Sequence, residues 1–148
     1  MPVKPVPEGY HTATPYIVVS GVAKVIEFLE KTFDAKEMGE RATRPDGAVM
    51  HAEVKIGDSP IMLGEPVGQF EPRPGCVYLY VADTDAAYQR ALRAGGTSLM
   101  EPADQFYGDR NAGVRDPAGN FWWIGTHIED VAPEEIARRA AQRMKAQG

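Results

Sequence analysis

Two hydrophobic periodicities alternate along this chain, and together they predict the same folding unit twice. Thr14 to Val19 is rich in β-branched residues around a tyrosine, which predicts a strand. From about Val22 to Phe33 the apolar residues Val22, Val25, Ile26, Leu29 and Phe33 recur at steps of three and four, the spacing of an amphipathic helix. Glu37 to Thr43 reads as a strand, Pro45-Asp46-Gly47 as a turn, and Val49 to Ile56 as a third strand. Gly57-Asp58-Ser59 turns the chain again before a strand over Ile61 to Leu63. After a Pro- and Gly-rich stretch, Val77 to Val81 predicts a strand, and Asp83 is placed to cap a helix running to about Ala94. Gly95-Gly96 ends that helix, Thr97 to Met100 opens a strand, and Glu101 to Tyr107 reads as a loop. Asn111 to Arg115 and Phe121 to Gly125 form a last hairpin about the turn Asp116-Pro117-Ala118-Gly119. A terminal helix is expected over about 133–146, with Pro133 in its first turn, acidic residues early and basic residues late.

The two units register against each other. Tyr16 to Met38 and Tyr78 to Met100 align at an offset of 62 residues, Tyr16 on Tyr78, Ile17 on Leu79 and Val19 on Val81. That period is too long for a solenoid and suits two fused βαβββ modules. Module 1 is expected over about 13–64, a linker over 65–75 and module 2 over 76–127, all in one domain of the 148-residue chain.

Charge and cysteine usage narrow the function classes. A net charge of −5 argues against a nucleic-acid partner. Cys76 is the one cysteine, so no intrachain disulfide can form. No apolar run approaches a membrane span and no signal core is visible, so no membrane partner and a cytoplasmic location are expected.

The motifs PEGYHTATPYIVVSGVAKVIEFLEKTF, HAEVKIGDSPIMLGE, YGDR, DPAGNFWWIGTHIEDV and PEEIARR, in this order and spacing, resemble the vicinal-oxygen-chelate superfamily. That group includes glyoxalase I, bleomycin-resistance proteins and extradiol dioxygenases, and the closer resemblance is to its PhnB-like branch. The resemblance implies an α+β fold: two tandem βαβββ modules as a U-shaped, partly open mixed β-barrel, with helices on the convex side and a ligand trough. It also implies a homodimer, since open strand edges need partners. Family enzymes hold a metal at four strand positions, which fall here on Thr14, Met62, Cys76 and Trp123. These residues cannot replace the usual His and Glu ligands, so neither a metal nor any other cofactor is expected.

Strand alternation sends every second side chain to one face. Thr14, Tyr16, Met62, Cys76, Tyr78, Tyr80, Phe121 and Trp123 then face the trough. Ile17, Val19, Ile61, Leu63, Val77, Leu79, Val81, Trp122 and Ile124 face the helices. On Val49 to Ile56, alternation puts His51, Glu53 and Lys55 on one face and Met50, Ala52, Val54 and Ile56 on the other. An aromatic trough suits a small organic molecule. The candidate ligand-binding residues are Tyr16, Cys76, Tyr78, Tyr80, Tyr107, Arg110, Phe121 and Trp123, with Tyr78, Tyr80, Phe121 and Trp123 serving equally well as packing that fills the trough. Arg110 could clamp an anion or contact Asp109. His51 and Glu53, two apart on one strand face, are candidates for catalytic acid–base work or a relocated metal, as in a lyase or dioxygenase; a solvated pair is the alternative. His11 and His127 flank the first and last strands, which are expected to be neighbours. A third reading is drug sequestration of the bleomycin-binding type.

Overall fold

A computed structural model of the chain describes residues 2–147. The elements run β1 (Tyr16–Val18), α1 (Val22–Phe33), β2 (Lys36–Glu37), β3 (Ala42–Thr43), β4 (Val49–Ile56) and β5 (Ser59–Gly64). They continue with β6 (Cys76–Tyr80), α2 (Thr84–Arg93), β7 (Thr97–Asp104), β8 (Asp109–Arg115), β9 (Phe121–His127) and α3 (Pro133–Gln147). The result is α+β, with two mixed sheets that stay open. One has the order β1-β5-β4-β2, with β3 also on β4, and the other β6-β9-β8-β7. In each, the first strand of the unit lies parallel to the last and the rest pair antiparallel.

Helices α1 and α2 each cover the sheet of their own unit, and the two also meet. Val22, Val25, Ile26, Phe28 and Leu29 of α1 are buried, as are Ala87, Tyr88 and Ala91 of α2. Burying each large apolar side chain contributes roughly 1.5–3 kcal/mol. Phe33 of α1 reaches Trp122 of β9 with ring centroids 6.2 Å apart, and Arg90 of α2 donates to the Thr32 carbonyl oxygen at 2.9 Å. One core therefore serves both units. Ile17, Val19, Ile61, Leu63, Leu79, Trp122 and Ile124 lie in it, while Tyr16, Tyr78, Tyr80 and Phe121 on the alternate positions are exposed.

The linker is stitched down rather than loose. Arg73 N donates to Val18 O at 2.7 Å, and Gly75 N to Asn120 Oδ1 at 2.7 Å. The Glu65 carboxylate accepts from Gly21 N at 3.1 Å and Val49 N at 2.8 Å. It thereby caps α1, whose own N-cap residue is a glycine in left-handed conformation with no side chain to offer.

Four expectations are corrected. Glu37 to Thr43 is not one strand: β2 and β3 are separate two-residue pieces on β4, parted by Gly39 at φ 75°. Glu101 to Tyr107 is not a loop, because β7 runs to Asp104 before a tight turn. Pro102 is accommodated within β7 by the register shift against β8 between Met100 and Ala103. Met50 is exposed rather than helix-facing, because β4 shifts register against β3 between His51 and Val49. Finally, β1 and β9 are not neighbours but belong to different sheets.

Candidate functional site

Tyr78 and Tyr80 stand two apart on β6, so both side chains project from the sheet face opposite the helices. Asp109 and Asn111 stand two apart on β8 and project the same way, though both are buried. Tyr78 Oη donates to Asp109 Oδ2 at 2.8 Å and Tyr80 Oη to the same oxygen at 2.9 Å. Asn111 Nδ2 donates to Tyr78 Oη at 3.1 Å and to Tyr107 Oη at 2.7 Å. Asn111 Oδ1 is buried without a partner among the described residues. His127 completes the cluster, its Nδ1 lying 3.0 Å from Asp109 Oδ1 and its Nε2 2.7 Å from Asp130 Oδ1. Tyr78, Tyr80, Tyr107, Asp109 and His127 line an open groove of about 450 Å³.

Local backbone geometry makes this convergence possible. Gly108 closes the turn before β8 at φ 102°, and its carbonyl oxygen accepts from Ile128 N and Glu129 N. A Cβ there would collide with the Glu129 backbone, so only glycine fits. The contact fixes the chain beyond β9 against the start of β8, which puts Asp130 and Asp109 on opposite sides of His127.

The electrostatics follow from these contacts. Burial works to raise Asp109, but hydrogen bonds from His127, Tyr78 and Tyr80 outweigh it and hold the carboxyl below its ordinary value. Asp109 next, then Asp130, raises His127 above the usual imidazole value. An ionised carboxylate only accepts, so a carboxylate oxygen at each ring nitrogen favours the doubly protonated, cationic form of the ring. Burial, followed by the Asp109 carboxylate, pushes Tyr78 upward, against the opposing pull of Asn111.

The other face residues gather separately. Tyr16, Val18, Met50, Glu65, Val67, Gln69, Phe70, Glu71 and Arg73 enclose a cavity of about 520 Å³ between module 1 and the linker. His51 Nε2 lies 3.4 Å from Glu53 Oε1, and Tyr16 meets His51 edge-on at 5.9 Å. Tyr10 Oη is buried nearby without a hydrogen bond of good geometry; burial, then Glu53, pushes its pKa up to about 12. Cys76 and Phe121 are register partners and both exposed, and Trp123 lies against Gly113. Arg110 projects from the opposite side of β8 to Asp109, where it grips Asp85 at 2.7 and 2.8 Å and Asp104 at 3.0 Å. His11 contacts the Asp58 carbonyl oxygen, in the first unit, and does not meet His127.

The Asp109–His127–Asp130 cluster was not legible in sequence, since its members come from two strands and the segment beyond. The one available signal was the alternation that sets Asp109 and Asn111 on one face. The repeat does reach into this site. Tyr16 lies over Gly64 and Tyr78 over Gly125, where an added Cβ would stand 3.1 and 2.5 Å from the respective hydroxyl oxygens. Ala52 pairs with Leu63 and Ala112 with Ile124, so His51 stands in module 1 where Asn111 stands in module 2.

The sequence model of the Glyoxalase/Bleomycin resistance protein/Dioxygenase superfamily matches residues 10–124. The chain belongs to that superfamily. An uncharacterized protein of Mycobacterium bovis is 37% identical over 134 residues, covering 83% of this chain and 88% of its own length. An uncharacterized protein of Mycobacterium tuberculosis is equally identical, with 83% and 78% covered. Among solved structures of the same fold, TioX from Micromonospora sp. ML1 superposes with a TM-score of 0.63 at 19% identity, covering 78% of this chain and 99% of that one. The fosfomycin resistance protein FosX of Mesorhizobium loti gives 0.57 at 18%, covering 78% and 91%. Thr14, Met62, Cys76 and Trp123, on which the sequence resemblance would place the glyoxalase-type metal positions, present a hydroxyl, a thioether, a thiol and an indole. That donor set does not fit a divalent ion of the Zn, Ni, Fe or Mn kind. Among the described residues no three His, Cys, Asp or Glu side chains gather as a metal site elsewhere.

Proposed function

We propose that this superfamily member binds a small, flat organic molecule in the module-2 groove, without the metal tetrad of its glyoxalase-type relatives. The observation behind it is the convergence of Tyr78 and Tyr80 on a buried carboxylate in an open groove, with Tyr107 tied to the adjacent Asn111 amide. Aromatic walls with a few fixed polar groups suit such a ligand. Tyr16, Cys76, Phe121 and Trp123 extend the same reading along the sheet faces, and the motif order supports placement in the PhnB-like branch. The same groove would serve drug sequestration, and a fosfomycin resistance protein stands among the fold relatives. The chain is further proposed to form a homodimer that covers these aromatic faces, in a cytoplasmic setting.

The test is a thermal-shift screen of planar aromatic compounds against the wild type and Tyr80→Ala. A ligand of the native state raises the melting temperature, and the rise is expected to shrink in the variant. Equal shifts in both proteins, or none in the wild type, would count against the groove.

The rival reading is an acid–base enzyme built on His51 and Glu53, favoured by their 3.4 Å approach beneath Tyr16. Its mark would be turnover abolished by Glu53→Gln and unaffected by Tyr80→Ala.

A further inference from the structure

We propose that the module-2 groove selects a molecule with an acidic hydroxyl, a phenol or an enol, bound as its oxyanion between Tyr107 Oη–H and the outward N–H of His127. This rests on the groove reading above and specifies the chemistry of its ligand.

The case is a hydrogen-bond inventory. The Asn111 amide donates to Tyr107 Oη, so the Tyr107 proton is left for an outside acceptor. Tyr78 and Tyr80 both spend their protons on Asp109 and offer none. The inward N–H of His127 is held by Asp109, which is 3% exposed. Its outward N–H is held by Asp130, whose side chain is fully exposed. An ion pair with a fully exposed partner is only weakly held against water, so Asp130 is readily displaced. It is itself a carboxylate oxygen seated on that N–H, and shows the geometry an incoming oxyanion would take up. Asp109 and the imidazolium cancel in charge, and displacing Asp130 leaves two proton donors facing the ligand. Tyr80, 67% exposed, adds a ring face for stacking.

The groups around His127 are Asp109 from β8, Asp130 beyond β9, Tyr78 and Tyr80 from β6, and Tyr107 from the turn before β8. The neighbouring Glu129 is engaged by Arg139 at 2.8 Å. Binding therefore needs the ligand ionised and His127 protonated, and is strongest in the pH window between those two titrations.

The experiment titrates the whole protein with para-nitrophenol, reading the phenolate absorbance, with nitrobenzene as the probe that lacks the hydroxyl. Saturable phenolate binding is expected, weakened about 10-fold or more in Tyr107→Phe and in His127→Gln. On the acid side of the window, where His127 keeps its proton without Asp130, Asp130→Asn is expected to tighten it, since the built-in competitor is removed. Asp130 is fully exposed and meets the fold through His127 Nε2, so that variant is expected to fold and decides the matter even if His127→Gln does not. Nitrobenzene binding as tightly as nitrophenol, with Tyr107→Phe and Asp130→Asn unchanged, overturns the oxyanion reading and leaves the groove as an aromatic site. No saturable nitrophenol binding overturns it too, while the thermal-shift screen judges the groove separately.

Discussion

At the scale of single residues, Gly125 shows how absence of a side chain shapes the groove. Tyr78 lies so close over it that a Cβ would come within 2.5 Å of the hydroxyl oxygen. Gly125→Ala is expected to lift Tyr78 away from Asp109 and Asn111, costing about 1–3 kcal/mol in denaturant unfolding. The cost should largely vanish on a Tyr78→Ala background; additive losses would show that the two residues do not interact. His127 gives a second prediction, from the sign of its shift. Its folded pKa is raised, so its contribution to stability is complete below the unfolded value of about 6.5 and is lost as pH rises through the folded value. Asp109 is lowered, so its contribution holds above about 3.9 and is lost as pH falls through its folded value. The stability gap between wild type and His127→Gln should thus be widest in mildly acid solution and close on the alkaline side. Parallel pH profiles for the two proteins would refute the coupling.

At the scale of elements, the β8–β9 hairpin is held by its turn as much as by its ladder. Asp116, buried, accepts from Ala118 N, Asn120 N, Asn120 Nδ2 and Trp122 Nε1 at 2.8–3.0 Å. Asp116→Ala would leave the Trp122 N–H unpaired in the core, and a loss of about 3 kcal/mol or more is expected from chemical denaturation. A loss below 1 kcal/mol would mean that water replaces the carboxylate. Elements with a strong period were legible in the sequence: α1, β4 and the Asp83 cap of α2, which accepts from Ala86 N at 3.0 Å, lie where the pattern predicts. What alternation could not reveal were the bulges, since one extra residue reverses every facing beyond it, as at Met50. Nor could it show that Arg110 would be held by Asp85 across the fold.

At the scale of the whole molecule, exposed apolar side chains are unevenly spread. Tyr16, Met50, Val67 and Phe70 crowd the module-1 cavity, and Tyr78, Tyr80 and Tyr107 the module-2 groove. Patches of this kind mark binding faces, and they support the proposed homodimer. Sedimentation at micromolar concentration is expected to give twice the 16.2 kDa chain mass. A single monomeric species would dismiss the dimer. The family and its doubled unit were legible from motif order and the 62-residue offset, because helix and strand periods survive side-chain change. The groove's polar network was not, since it joins residues that only the closed fold brings within reach.

The tyrosine resting on a glycine is kept in both halves, yet its polar neighbour is histidine in one and asparagine in the other. Such a scaffold can diverge one half at a time: a new partner beside one ring alters what that half recognises, and its twin goes on supporting the frame. Under the proposed function, exchanging His51 and Asn111 between the halves is expected to alter which planar compounds raise the melting temperature, and an unchanged profile would count against it.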